Sequence, residues 1–486
     1  MVYPNLLFYS TQENNKIPEE VFLDIKLDAL LPGDVFGVMS VFCDEQNIKY
    51  RQELFRVLLD DNDALSHFNG LLDLINSIYE LDKRYSEDIS IEEKTFIFLA
   101  ITRRIIEFSE KVVSKRIEGS KLLDRFIDSF VTYTETDEFK AIKNECLSLR
   151  TVIEDFDSFS FIIQGENLKV VTGKDESFTQ RLIVCAQSLE LKTEYHNRMF
   201  TKELSTPIIS AFCRMNMESY SKIKDFYQKH SSFYEREIVV YKEQIEFYVN
   251  VSKLINRIKE RDIPIIYPFI NSAEKKICIS DAYDISLIAK NQSFIIPNDI
   301  DFSDKYVFSF LTGANGGGKT TYLRAIGINI ILALNGAPIA AKNASIYPIK
   351  KLFTHFPKDE RFENTGRFVD EENRIAKILT ELDDKSLILL NETYSTTSKE
   401  VAVAKTNELA TKLVGMNVFG IYITHQHSVD SNEIPVLSVI VDENDENKRT
   451  YKISKLSQEK KSFAEDILKK YNLTKEALQD RFGVKI

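Results

Sequence analysis

The sequence predicts a mixed fold, an all-α body followed by an α/β part built on a mostly parallel sheet. Three observations predict it. Glycine is scarce, 16 of 486 residues, about 3% against roughly 7% in average proteins. No proline falls between Pro32 and Pro207 and no glycine between Gly173 and Gly313, whereas ten of the sixteen glycines lie in 301–486. Chain breakers are thus withheld from the first half, which favours long helices there. Apolar residues in that half recur at helical spacing, as in Leu71, Leu74, Ile75 and Ile78. Beyond Pro268, β-prone runs alternate with helix-periodic ones, the pattern of strands joined by crossover helices.

In chain order, the helical pattern runs from about 65 to 155, with stretches at 92–117 and 119–150. Residues 159–173 (FSFIIQGENLKVVTG) hold two β-prone runs flanking Gln164–Asn167, which predicts a small hairpin. Helices resume to about 260. Ile238, Tyr241, Ile245, Tyr248 and Ile255 follow a 3–4 spacing interrupted only by Ser252, as in a long helix packed like a coiled coil. Pro264 and Pro268 end it. Strands are expected at 306–312, 352–356, 386–390 and 419–424, with helices at 319–336, 370–383 and 399–414. Length suggests roughly three domains at about 150 residues each. The patterning places the boundary at 266/267: residues 1–266 helical, 267–486 α/β.

Hydrophobic residues at 43% and charged residues at 28% exclude disorder as a description of the whole chain. The net charge is -11, so no large polyanion-binding surface is announced. The segment 448–486 is locally basic, with eleven Lys/Arg against five Asp/Glu. Five dispersed cysteines, Cys43, Cys146, Cys185, Cys213 and Cys278, form no CxxC pair and suit reduced thiols in a cytoplasmic protein. The N-terminus lacks the basic and apolar regions of a signal peptide. The most apolar stretch, Ile326 to Ala341, is broken by Asn329, Asn335 and Pro338 and is no membrane span.

One motif carries chemistry. Gly313-Ala314-Asn315-Gly316-Gly317-Gly318-Lys319-Thr320 fits GxxxxGK[ST], after an apolar strand and at the start of a helix. Glycines let backbone N–H groups converge on phosphate oxygens, and the helix N-terminus adds partial positive charge. Lys319 is placed to reach the β- and γ-phosphates of ATP and Thr320 to offer its hydroxyl to Mg²⁺; Thr321 follows in the same first turn. The run 386–392 (SLILLNE) is an apolar strand ending in Asn391 and Glu392. In P-loop ATPases that end normally carries Asp, for Mg²⁺, then Glu, which orients the attacking water. Asn391 can accept a hydrogen bond from a metal-bound water without adding charge, and Glu392 is the expected base. A degraded, non-hydrolysing site is the competing reading. His425 follows the strand at 420–424, where an imidazole can contact the γ-phosphate or the attacking water; His427 is read as structural.

The order of these motifs resembles the ATPase domain of the MutS family, the mismatch-repair proteins. The stretch FLTGANGGGKTTYLRAIGINIILALNGAPIAA is similar to that family's P-loop TGPNMGGKST and its helix, with Asn315 matching the family's loop Asn. Phe294-Ile-Ile-Pro-Asn-Asp299 resembles FVPND, which implies that Phe294 lies near the adenine pocket. LFTHF (352–356) stands where the family has IFTRIG, SLILLNETYSTTS resembles SLVLMDEIGRGTS, and Thr424-His425 matches the family's Thr-His. SFAEDILKKYNLTKEAL resembles the segment after the ATPase domain. The likeness covers about 270–486, and extends weakly to IKYRQELFRVLLD, which is similar to the opening of the family's core domain.

The resemblance implies a helical core and lever domain before an ABC-type P-loop ATPase domain. Two such domains would dimerise and complete each other's ATP sites. The family's trans signature STFMxE aligns with residues 364–371, where Phe368 and Glu371 match but Gly366 and Arg367 replace Ser-Thr. The family's mismatch-reading N-terminal domains have no counterpart in the sequence, and only the region 155–200 is available as a reduced clamp. Phe-x-Glu occurs at 108–110, 233–235 and 463–465, each in a helical pattern. The expectation is therefore an ATP-driven, homodimeric DNA-binding ATPase that recognises DNA structure through backbone contacts. Candidate contacts are Lys49 to Arg56, Arg103–Arg104 and Lys111 to Arg116, each of which also reads as the solvated face of a helix. The alternative is an ATP-gated scaffold with slow or no hydrolysis and a protein partner. Without an LSGGQ signature or NKxD, transporter and GTPase readings are weak.

Overall fold

The computed structural model describes residues 4–9, 16–149, 159–164, 167–172, 206–234, 236–290, 292, 294–303, 307–357, 367–394, 397–424, 434–441 and 449–455. Among them no helix is long and apolar enough to cross a membrane. The chain divides into two compact units, residues 1–6 with 61–246, and 7–60 with 247–486. These units are not the linear parts 1–266 and 267–486. The segment 7–60, which includes the stretch 48–60 read from sequence as similar to the opening of a core domain, belongs with the α/β unit, and so does 247–266.

The first unit is helical. Helices Asn62–Tyr85, Ile91–Ser114, Lys121–Thr134 and Asp137–Ser148 begin at Asp61, Ser90, Ser120 and Thr136. Each of those side chains accepts a backbone N–H of the first turn, the usual way to satisfy a helix start. Phe108, Phe126, Phe130 and Tyr241 form an aromatic centre with ring centroids 4.9 to 6.4 Å apart. The Tyr241 hydroxyl donates to the Pro4 carbonyl at 3.1 Å, which ties the N-terminal residues to this core. The expected hairpin is present: Phe159–Gln164 pairs antiparallel with Asn167–Thr172, Gln164 opposite Asn167. The rest of 155–200, suggested as a reduced clamp, lies outside the described residues. The long helix is Tyr241–Lys259, of which only 241–246 belong to this unit, and the stripe Ile238, Tyr241, Ile245, Tyr248, Ile255 is buried, as is Ser252.

The second unit is built on a six-stranded sheet. Its elements in chain order are β1 (Phe308–Thr312), α1 (Lys319–Leu334), β2 (Lys351–His355), α2 (Arg367–Glu381), β3 (Ser386–Asn391), α3 (Lys399–Gly415), β4 (Phe419–Ile423), β5 (Val436–Val441) and β6 (Arg449–Lys455). The strand order is β2-β3-β4-β1-β5-β6, parallel throughout except for the antiparallel edge strand β6. β3 and β4 are buried along their whole length and β1 up to Thr312. Unbroken apolar runs of this kind belong to strands covered on both faces. A smaller sheet, Phe269–Ile270, Asn343–Ile346, Ile277–Ala282 and Asn298–Phe302 in that order, and the pair Ile265–Ile266 with Ile339–Ala340, complete the unit. These short strands give little periodic signal and were not expected from the sequence.

α1 is buried on nearly every side, which explains its uniformly apolar sequence. Its two asparagines are satisfied internally. Asn329 donates to the Tyr283 and Ala325 carbonyls and accepts from the Ala340 N–H. Asn335 donates to the Met39 and Ile331 carbonyls and accepts from Arg51. The N-terminal segment packs closely: a Cβ on Gly327 would lie 2.7 Å from Ile25 Cγ2, and one on Gly336 2.4 Å from Arg51 Cβ. Both glycines are there to let residues of 7–60 approach the helix.

Asp284 is a buried carboxyl in this unit. One oxygen accepts the Ser286 N–H at 3.0 Å, and Oδ2 has no partner among the described residues. Burial pushes its pKa up to about 6, with Ser286, Arg324 and Lys290 opposing. A folded pKa above the unfolded 3.8 means the stabilisation is present below about pH 4 and is lost as pH rises through 6. Asp284→Asn, which keeps the neutral form, should therefore gain stability over wild type between pH 5 and pH 7.5, by about 1 kcal/mol. Thermal unfolding at the two pH values tests this; an advantage that does not change with pH would refute it.

Candidate functional site

Parallel pairing sets the strand ends side by side. Ile423 of β4 is in register with Leu311 of β1 and with Asn391 of β3. The Thr424 N–H donates to the Leu311 carbonyl at 3.1 Å and the Glu392 N–H to the Ile423 carbonyl at 3.0 Å, which extends the pairing one residue past the strands. The glycine loop 313–318, Asn391-Glu392 and Thr424 thus leave the same edge of the sheet. The carboxyl edge of a parallel sheet is where open α/β folds bind ligands.

The loop is held by its own lysine. Lys319 is buried, and its Nζ donates to the carbonyls of Gly313 at 2.8 Å and Ala314 at 3.2 Å, with Asn315 Oδ1 at 3.5 Å. Burial pulls its pKa below the usual lysine value; the nearby Glu392 carboxylate opposes that, and Arg449 adds to it. Gly313, Gly316 and Gly318 have φ of +130°, +70° and +95°, a region that side-chain-bearing residues rarely adopt. Two loop glycines also have a packing role. A Cβ on Gly313 or Gly317 would come within 3.0 Å of the Val439 side chain on β5, and one on Gly317 also within 2.9 Å of the Ala314 carbonyl. Ala314 is half-buried and Asn315 and Gly316 are exposed; Thr320 and Thr321 are half-buried in the first turn of α1.

Across the edge, Asn391 is buried, and its Oδ1 has no hydrogen-bond partner among the described residues. Glu392 and Tyr394 both have left-handed backbones, φ 53° and 66°. Between them Thr393 is buried and bound on two sides. Its hydroxyl meets His355 Nδ1 at 3.0 Å, and its carbonyl accepts from the Tyr422 hydroxyl at 2.9 Å. His425 lies outside the described residues. Phe294 is 77% exposed, in a segment tied to the loop's surroundings. The Lys452 ammonium donates to the Pro297 carbonyl at 2.5 Å, Asn298 exchanges hydrogen bonds with Tyr451 and Ile453 of β6, and the Tyr322 hydroxyl of α1 donates to the Asp299 carbonyl. The Tyr451 ring in turn sits 3.5 Å from where a Gly318 Cβ would be. Of the segment aligned with the trans signature, residues 364–366 and the side chains of Arg367 and Phe368 lie outside the described residues; Glu371 is half-buried on α2.

The candidate DNA-contacting cations are largely engaged within the protein. Arg51 is fully buried: Nε donates to the Leu7 carbonyl, Nη1 to Asn335 Oδ1, and the guanidinium lies over Phe8 and Phe247. It is a core residue, so the group Lys49 to Arg56 is not a continuous basic face. Arg56 stacks on Tyr267, and Lys49 pairs with Glu45. Arg104 pairs with Glu107, Lys115 with Asp61, and Arg116 with Asp124 and Asp128. Val439, Tyr451, His355, Thr393 and Tyr422 were not singled out from sequence. Strand pairing alone brings them to the site, and linear spacing gives no sign of it.

Comparison with known proteins follows this geometry. A family model, MutS domain V, matches residues 309–486. Residues 309–486 are thus a MutS-family domain. The chain is 36% identical over 107 residues to the DNA mismatch repair protein MutS of Chlorobium chlorochromatii, covering 22% of this chain and 12% of that protein. The DNA mismatch repair protein MutS of Prochlorococcus marinus is 29% identical over 196 residues, 38% of this chain and 21% of that protein. The MutS protein homolog 4 of Homo sapiens is 32% identical over 131 residues, 27% and 14%. The chain thus matches about a fifth or less of the length of these curated relatives.

The two loop glycines separate strain from packing. Gly316→Ala meets no neighbour within 4 Å and faces only its positive φ, a cost of about 1 kcal/mol. Gly313→Ala meets both a positive φ and Val439, and its loss of thermal stability should be clearly larger. Equal melting temperatures for the two variants would contradict the packing role of Val439.

Proposed function

We propose that this chain binds and hydrolyses Mg²⁺·ATP at the carboxyl edge of its sheet, as an ABC-type P-loop ATPase acting as a homodimer on DNA. The observation that carries the proposal is the meeting of the glycine loop and Lys319 with Asn391 and Glu392 on adjacent strand ends. In this reading the N–H groups of 313–318 and the N-terminus of α1 hold the phosphates. Lys319 exchanges its bonds to the Gly313 and Ala314 carbonyls for the β- and γ-phosphates, and the Phe294 ring stacks on the base. Glu392, beside Lys319, takes the proton of the attacking water, and His425 is assigned to the γ-phosphate or that water.

The residues fit magnesium. Among the described residues no cluster of His, Cys, Asp or Glu could hold a metal ion by itself. Mg²⁺ ordinarily keeps several waters and relies on substrate phosphates. The buried, unpartnered Oδ1 of Asn391 is a suitable acceptor for a metal-bound water, and the Thr320 hydroxyl a suitable ligand. The ion would neutralise phosphate charge; Asn391 contributes none, which weakens metal affinity.

Similarity to DNA mismatch repair proteins supports action on DNA. The helical unit serves as core and lever, Arg367 and the Gly366 N–H reach the partner's γ-phosphate, and DNA is recognised by shape. The second reading, an ATP-gated scaffold with a protein partner, is favoured by the neutral Asn391 and by the internal pairing of the candidate DNA-contacting cations.

ATP turnover with and without a panel of duplex, mismatched and four-way DNA separates these. Lys319→Ala should abolish turnover and nucleotide binding. Glu392→Ala should retain binding and lose about 100-fold or more in turnover. Turnover that survives Lys319→Ala would refute the site, and turnover indifferent to every DNA would favour the scaffold. Asn391→Asp should lower the Mg²⁺ concentration needed for half-maximal turnover; an unchanged Mg²⁺ dependence would sink the role given to Asn391.

A further inference from the structure

The turn that carries Glu392 is braced from beneath by four buried polar side chains from four elements. His355 ends β2, Thr393 follows β3, Thr406 lies on α3 and Tyr422 on β4, and each is no more than 4% exposed. The Tyr422 hydroxyl donates to the Thr393 carbonyl at 2.9 Å and meets the Thr406 hydroxyl at 3.0 Å. A carbonyl only accepts, so the single Tyr422 proton is committed to Thr393. Thr406 must then be the donor to Tyr422. His355 Nδ1 meets the Thr393 hydroxyl at 3.0 Å. Thr393 is thereby gripped by backbone and side chain at once.

This grip coincides with strained backbone. Glu392 and Tyr394, on either side of Thr393, both have positive φ without being glycine. Such residues cost energy and persist only where the surroundings over-determine them. Glu392 is also fixed from the opposite side by its N–H bond to the Ile423 carbonyl. A buried bond of this kind is costly to leave unmade, since a lone carbonyl in the core has no water to turn to.

We infer that Tyr422 and Thr393, with His355 and Thr406 behind them, are positioning residues that set the direction of the Glu392 carboxylate. The inference rests on the reading of Glu392 as the base in ATP hydrolysis. None of the four side chains is required to touch nucleotide, so removing the brace should misdirect the carboxylate while leaving the phosphate loop intact.

Tyr422→Phe keeps the ring and deletes the donor; Thr393→Val keeps the shape and deletes the hydroxyl. Each should lower kcat for ATP by about tenfold or more, since small misplacements of a reacting group are expensive. The dissociation constant of a fluorescent ATP analogue should stay within twofold of wild type. Because both act through one turn, the double variant should fall no further than the worse single one. Wild-type kcat in Tyr422→Phe overturns the inference, as does a parallel loss of nucleotide affinity, or a double variant equal to the product of the singles. If Tyr422→Phe does not fold, Thr393→Val gives the same readout alone. Glu392→Gln separates the two levels: if it turns over ATP like wild type, the assignment of Glu392 as base fails and the inference with it; if it is inactive while Tyr422→Phe is not, only the brace fails.

Discussion

Parallel pairing of β1, β3 and β4 is the constraint on which the site depends. In a parallel sheet, consecutive strands must return through a crossover, so their carboxyl ends emerge on one edge. Here the loop glycines, Asn391, Glu392 and Thr424 are far apart in sequence and meet only because Leu311, Ile423 and Asn391 share a register. That register is held by burial. A slip of one residue would exchange the side chains packed on the two buried faces and carry every strand-end group to the wrong side. The chemistry at the edge is thus maintained by Leu387, Leu389, Ile421 and their neighbours, none of which approaches it.

The glycine loop shows how one residue type meets two demands. Positive φ at Gly313, Gly316 and Gly318 gives the loop a backbone that side-chain-bearing residues rarely adopt. Val439 on β5 presses against Gly313 and Gly317 from the side, so these positions are small for packing as well. Elsewhere glycine serves contact alone: Gly327 admits Ile25, and a Cβ on Gly420 would lie 2.6 Å from the Phe308 ring. The concentration of glycine in 301–486 therefore reflects close approach between elements as much as the phosphate binding proposed for the loop.

Charge is similarly spent inside the protein. Arg51 is held by the Leu7 carbonyl, Asn335 and two aromatic rings, while its Nη2 has no hydrogen-bond partner among the described residues. A guanidinium placed this way joins residues 7–60 to the end of α1. Its delocalised charge and weak hydration suit that burial better than an ammonium would. The exposed cations of the helical unit mostly have acidic neighbours one or two turns away, or across a helix pair. Such pairs contribute little stability individually, yet each draws its cation away from a basic face.

Local patterns were readable in the sequence because each rests on a short-range rule. Strands β1 to β4 and the helices between them, the hairpin at 159–172, and the long helix Tyr241–Lys259 all follow from periodicity and chain breakers. The phosphate loop and the pair Asn391-Glu392 follow from spacing within one strand–loop–helix unit. Three features were decided only in three dimensions. The segment 7–60 joins the α/β unit because Ile25 and Arg51 fit against Gly327 and Gly336, far along the chain. The small sheet assembles from strands too short to carry a period. The brace of His355, Thr393, Thr406 and Tyr422 exists only once β2, β3, β4 and α3 are side by side. The sequence by itself therefore determined which backbone forms where and where the glycine loop and the strand-end residues lie. The tertiary structure decided which side chains surround them, because hydrogen bonds and packing between distant elements leave no spacing rule behind.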